Sequence, residues 1–160
     1  MTVIAELLDR IPEGGEAANN ALRALGLLLE QHHARRPEGD DGGLSELLGP
    51  DLAEYRLSED EVTEAITGLS AYLQGAEVPN SGALWALGKS ADERAVPVLI
   101  ETLSRFLHDP AHEPLAHQAL TSLLPFGTPE ARAAVRRAAQ EGQGEVKEDA
   151  EDFLTVLGLS

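Results

Sequence analysis

Cysteine is absent from this 160-residue chain, which excludes disulfides and thiol chemistry and fits a reducing compartment. Aromatic residues are scarce at 4%, so the core must be built from leucine, alanine, valine and isoleucine. That composition suits helices that approach one another closely. Period-two runs of β-branched residues are missing, so no strand is expected. No window nears the roughly 18 consecutive apolar residues a membrane span needs. The opening stretch MTVIAELLDRIPEGG lacks a basic region followed by a long apolar run, so no signal peptide is expected and the expected location is cytoplasmic. Bases are few: 12 lysines and arginines stand against 28 acids, for a net charge of −16.

The distribution of that charge matters more than its size. Residues 38–64 hold ten acids against Arg56 alone, and residues 141–152 hold six against Lys147. Between residues 82 and 140, six acids balance six bases. Two acidic segments therefore flank a neutral body. Such a field speeds encounter with a basic partner and disfavours nucleic acid or an anionic membrane.

What is present in abundance is helical periodicity. The stretch from Ala83 to Leu103 (ALWALGKSADERAVPVLIETL) reads as a helix, a short turn and a second helix. Leu84 and Leu87, with small Ala83 and Ala86, give the first helix a close-packing face, and Gly88 is the expected stop. Ser90 and Glu93 stand at capping-box spacing, and Pro97 suits the first helical position. Leu99, Leu103, Phe106 and Leu107 follow on one face. A second copy runs through Leu115, Ala119, Leu120, Leu123 and Leu124 to Gly127, and Thr128–Pro129–Glu130 then opens another helix. Glu93 to Glu130 gives a period of roughly 37 residues, within the range of helical solenoid repeats. A last helix carries Val146, Ala150, Phe153, Leu154 and Leu157.

The segment Ala83, Leu84, Ala86, Leu87, Gly88, followed by Asp92, Glu93, Arg94, Ala95, Val96, Pro97, Leu99 and Ile100, resembles the HEAT-repeat family, in particular the short bacterial HEAT-like repeats of the phycobilin-lyase type. The resemblance extends loosely to the C-terminus. Pro125–Phe126 interrupts the second copy, and the N-terminal half agrees only in helical period. What the resemblance implies is an all-α solenoid of antiparallel helix pairs, used as a binding surface and without catalytic residues of its own. The expected architecture is a single domain of about seven to nine helices, with divergent helices over 1–80 and HEAT-like repeats over 81–160.

In the N-terminal half, helices are expected over Val3–Ile11 and Glu16–Ala34, the latter with Ala18, Leu22, Leu25, Leu28 and Leu29 inward. Gly26 lies inside it and costs about 1 kcal/mol against alanine. Residues 36–43 (RPEGDDGG) form an acidic loop. Short helical turns split by Gly49–Pro50 follow. A capping box of Ser58 and Glu61 then opens a helix carrying Val62, Ile66, Leu69 and Leu73.

Several chemistries can be weighed against these residues. His108, His112 and His117 lie in HDPAHEPLAH, but Pro110 and Pro114 break any helix that would bring two of them onto one metal, so a polar loop is expected. His32–His33 suits a helix C-terminus. Asp40–Asp41, Asp51 with Glu54, and Glu148–Asp149 with Glu151–Asp152 are acid pairs with no apolar pocket to raise a pKa, so a solvated face is expected rather than general acid catalysis. No nucleophile elbow or P-loop is present. Arg132, Arg136 and Arg137 cannot make a nucleic-acid surface in so acidic a chain. Trp85 falls beside the Leu84–Leu87 face, which suits burial between helices or an anchor for a partner.

The expectation is therefore a non-enzymatic protein-binding module without metal or cofactor. The partner it fits is a basic toxin domain, with this chain as an acidic immunity protein or antitoxin. The residues expected to carry the contact are Asp40, Asp41, Asp51, Glu54, Tyr55, Asp60, Glu61, Glu64 and Trp85. An acidic mimic of DNA is a variant of the same idea. The resemblance alone implies a different class, an accessory or lyase-type protein acting on a chromophore or an assembly.

Overall fold

A computed structural model describes residues 2–34, 37 and 39–159 of the chain. It is all-α: among the described residues there are nine α-helices and no strand. None of these helices is long and apolar enough to cross a membrane. The chain divides into two compact units, residues 1–91 and 92–160. The division falls in the turn inside the Ala83–Leu103 stretch, so the two helices of that stretch belong to different units.

The first unit holds α1 (Val3–Arg10), α2 (Gly15–His33), α3 (Leu44–Leu48), α4 (Glu59–Gly75) and α5 (Ser81–Lys89). Thr2 caps α1 by accepting from the Ala5 amide, and a full capping box of Ser58 and Glu61 opens α4 as the spacing predicts. α2 is the centre of the unit and packs against α1, α3 and α5. Leu22, Leu25, Leu28 and Leu29 of α2 are at most 1% exposed, as are Leu69 and Leu73 of α4 and Leu84 and Leu87 of α5. Fully burying one such side chain is worth about 1.5–3 kcal/mol, so these leucines dominate the driving force.

Glycine sets how closely the helices approach. A Cβ on Gly26 would overlap the Trp85 ring, and one on Gly68 would overlap the Leu8 side chain. The helix-propensity cost of Gly26 thus has a tertiary reason: the indole lies against bare α2 backbone. Gly88, expected as the helix stop, is instead helical, and α5 continues to Lys89. Ala91, with φ of 50°, takes the left-handed turn. Ser90 does not form a capping box with Glu93. It is buried and donates its hydroxyl to the Leu87 carbonyl, 2.5 Å away. Asp92 is the cap instead, accepting from the Arg94 amide at 2.9 Å.

The second unit holds α6 (Val96–Phe106), α7 (Glu113–Leu123), α8 (Pro129–Glu141) and α9 (Gly144–Val156). α6 packs with α7, and α8 with α9. Leu99, Leu103, Leu120, Leu123, Val135, Val146 and Ala150 form its core. Thr128 caps α8 as expected, accepting from the Ala131 amide. Leu124 is only half-buried and Leu157 is 42% exposed, so both lie at the edge of the stripes predicted for them. The HDPAHEPLAH segment is not wholly a loop, because Pro114 sits in the first turn of α7 and leaves Glu113 to His117 helical. Proline costs no hydrogen bond there. His117 then bonds Asp149 of α9 at 2.6 Å, His108 bonds Glu141 at 3.3 Å, and Glu113 accepts from the Glu145 amide at 3.2 Å. Hydrogen bonds to His112 hold Asp109 below the ordinary carboxylate value, and those from Arg137 do the same for Glu141.

Replacing Gly26 by alanine tests the close approach of α2 and α5. Better helix propensity favours the variant by about 1 kcal/mol, whereas overpacking against a buried ring edge costs about 1–3 kcal/mol. The expected net result in urea unfolding is a loss of stability, relieved when Trp85→Leu is added.

Candidate protein-binding face

The acids expected to carry the contact lie in the first unit, on the α2–α3 loop, the segment before α4 and the first turns of α4. Arg36 and Glu38 of the 36–43 loop lie outside the described residues.

The segment leading into α4 has almost no regular structure of its own and is held by the last turns of α2. Gln31, 7% exposed, donates its amide to the Ala53 carbonyl at 3.2 Å and to the Tyr55 carbonyl at 3.1 Å. His32 lies 3.2 Å from the Leu57 carbonyl through Nδ1 and 3.0 Å from Glu59 through Nε2. A buried carbonyl without a donor is costly, so these contacts fix residues 53–59 on the helix. Farther along, Arg23 donates to the Gly42 carbonyl at 3.1 Å and ties the α2–α3 loop to the same helix.

Several of the predicted contact residues turn out to be occupied locally. Asp40 accepts from the Gly42 amide at 2.9 Å, and Asp41 from those of Gly43 at 2.8 Å and Ser45 at 3.0 Å. These are turns in which the aspartate replaces backbone acceptors. The Ser45 hydroxyl first, then the Gly43 and Ser45 amides, hold the Asp41 carboxyl below its ordinary value of 3.8. Tyr55 donates to Glu61, whose two oxygens lie 2.9 and 2.8 Å away, and that carboxylate also accepts from the Ser58 amide at 3.1 Å. The bond to Glu61 raises the Tyr55 phenol above its usual pKa. Glu64 accepts from the Thr2 hydroxyl at 2.6 Å.

Asp51, Glu54 and Asp60 are different. All are exposed, and none of their carboxylates makes a hydrogen bond or ion pair with another of the described residues. Asp51 and Asp60 flank the stretch that Gln31 and His32 anchor, and Glu54 lies within it. Trp85 is half-buried against Gly26, with the Lys89 ammonium 5.6 Å from its ring centre and the same ammonium 3.2 Å from Glu30. The residues that sequence reasoning missed are Gln31 and Arg23, and it read His32 only as a charge suited to a helix C-terminus. Gln31 had a signal, since it continues the inward stripe three residues after Leu28, where a polar side chain must find a buried partner.

Among the described residues no three or more histidines, aspartates and glutamates converge as the donors of a metal ion would. What the arrangement offers is a set of unpaired carboxylates on a braced backbone, a surface able to meet cationic side chains. No protein-family model matches the chain, and neither does any curated protein or any solved structure.

Two substitutions probe this region. Gln31→Leu removes the donor to two carbonyls and is expected to cost about 1–3 kcal/mol, with faster amide exchange at residues 53–59 than in α1 or α4. Asp41→Asn is expected to destabilise at neutral pH. A carboxylate with a depressed folded pKa contributes fully above its ordinary value of 3.8 and loses that contribution as pH falls through the folded value. Thermal denaturation should therefore show the gap between Asn variant and wild type closing below pH 3.8.

Proposed function

We propose that this chain is a non-enzymatic, cytoplasmic protein-binding module of HEAT-like helix pairs, an acidic immunity protein or antitoxin that neutralises a toxin with a basic active site. The observation that carries the reading is the trio Asp51, Glu54 and Asp60, whose carboxylates are exposed and unpaired among the described residues, within and on either side of a segment braced by Gln31 and His32. Free carboxylates on an ordered backbone lose little entropy on meeting a cation, and ten acids in residues 38–64 add a steering field. Asp40, Asp41, Glu61 and Glu64 contribute mainly to that field, because their oxygens already hold the local fold together. Tyr55, next to Glu54 in the chain, supplies apolar surface beside the charge, in the amphipathic form that binding hot spots favour, and half-buried Trp85 is a second aromatic of that form in the same unit.

The test is direct. The chain is mixed with the basic toxin domain encoded beside it, and toxin activity and complex formation are followed together. The expected result is a 1:1 complex with the activity abolished. The combined Asp51→Asn, Glu54→Gln and Asp60→Asn variant should associate at least about tenfold more slowly at low salt while keeping its helical circular dichroism. No basic neighbour, a toxin left active, or an association rate indifferent to the three substitutions would overturn the assignment.

A further inference from the structure

In the second unit α6 and α8 leave a groove of about 390 Å³ between them, a volume suited to a small molecule. Two matching stripes line it. On α6, Ile100, Leu103, Ser104 and Leu107 recur at three- and four-residue steps, and on α8 Glu130, Ala133, Ala134 and Arg137 do the same. The middle of both stripes is apolar. Leu103 and Leu107 are buried beneath it, Ile100 and Ala134 are half-buried, and Ala133 is exposed. Alanine at 133 and 134 keeps the groove open, because a longer side chain at either position would fill it.

The polar groups stand at the two ends and differ in kind. Seven residues of α8 separate Glu130 from Arg137, a rise of about 10 Å. Glu130 is exposed, and its carboxylate makes no hydrogen bond or ion pair with another of the described residues. Arg132, the nearest base in sequence, lies instead over the Phe153 ring of α9, 5.1 Å from its centre. At the other end Arg137 donates to Glu141 through Nε at 3.0 Å and to the Ser104 hydroxyl through Nη1 at 2.9 Å. Glu141 thereby meets the guanidinium charge, while Nη2 and the Ser104 O–H keep hydrogens to donate. One end of the groove offers an uncompensated negative charge, and the other offers donors without net charge.

We propose that the α6–α8 groove binds an amphipathic amine: an apolar body about 10 Å long, an ammonium group at Glu130, and an uncharged acceptor such as an amide carbonyl at Ser104 and Arg137. Charge selects this class. A carboxylate or phosphate gains little at Arg137, whose charge is already met, and the net charge of −16 repels it. A cation is drawn in by the same field and finds an unpaired carboxylate beside an apolar floor that buries its hydrocarbon. The site shares no residue with the acidic face of the first unit, so it stands apart from the toxin-binding reading.

The experiment titrates the full chain, labelled for amide NMR, with three probes: the N-methylamide of ω-aminooctanoic acid, octylammonium, which lacks the carbonyl, and N-methyloctanamide, which lacks the charge. The first is expected to saturate at millimolar concentration, with shifts concentrated on the α6 and α8 residues of the groove, and to bind more tightly than either of the others. Glu130→Gln should weaken both amines about threefold and leave the neutral amide unchanged, since an exposed pair contributes no more than this. Ala134→Leu fills the groove with a good helix former and should abolish the saturable shifts of all three while helical circular dichroism is kept. Amine shifts spread over residues 38–64 and 141–152 without saturation in the groove would sink the proposal. So would a neutral amide that binds as tightly as the amines, or amine affinity that survives Glu130→Gln or Ala134→Leu unchanged.

Discussion

Close approach between α2 and α5 is the constraint on which the first unit depends. The chain has one tryptophan and few other aromatics, so it cannot fill wide gaps between helices with large rings. Its leucines and alanines make good contact only where backbones come near one another. Gly26 permits this at the one place where a large ring must fit, and Gly68 permits it beside Leu8. With α2 so placed, its apolar stripe is covered, and its last turns remain available to hold the irregular segment before α4.

That second task links packing to the candidate face. Gln31 and His32 sit where the buried stripe of α2 runs out, and they spend their polar atoms on carbonyls of residues 53–57. The acids around them then divide by local chemistry. Those near a free backbone amide or hydroxyl are used there: Asp41 closes a turn, Glu61 completes the α4 cap, and Glu64 ties the start of α1 to α4. Those without such a neighbour, Asp51, Glu54 and Asp60, are left facing solvent. A charge count treats all of these acids alike; hydrogen bonding separates them into structural and available groups.

The second unit works with similar economy. Its two helix pairs share a core of small and branched side chains, and polar contacts such as His117–Asp149 and Glu113 to the Glu145 amide join the first pair to the second. The α6–α8 groove is what this packing leaves uncovered. It differs from the acidic face of the first unit in kind, being apolar with charge at the rim.

The helices themselves were legible from residue order. Apolar recurrence at three and four residues marked the inward faces of α2, α4 and α6, and the caps at Ser58 and Thr128 stand where short-range spacing put them. Helix ends were read less well: Gly88 looks like a stop and is helical, and Ser90 looks like a cap and is buried. A local signal states what a residue can do, and at those positions burial of the Leu87 turn and the better acceptor on Asp92 decided what it does. What the order of residues determined alone is the all-α class, the positions of most helices and the uneven charge, since each depends on neighbours within a few positions. Only the tertiary structure decided which helices pair, why Gly26 is glycine, and which carboxylates stay free. Those outcomes depend on groups up to some sixty residues apart, such as Thr2 and Glu64, whose meeting no local pattern encodes.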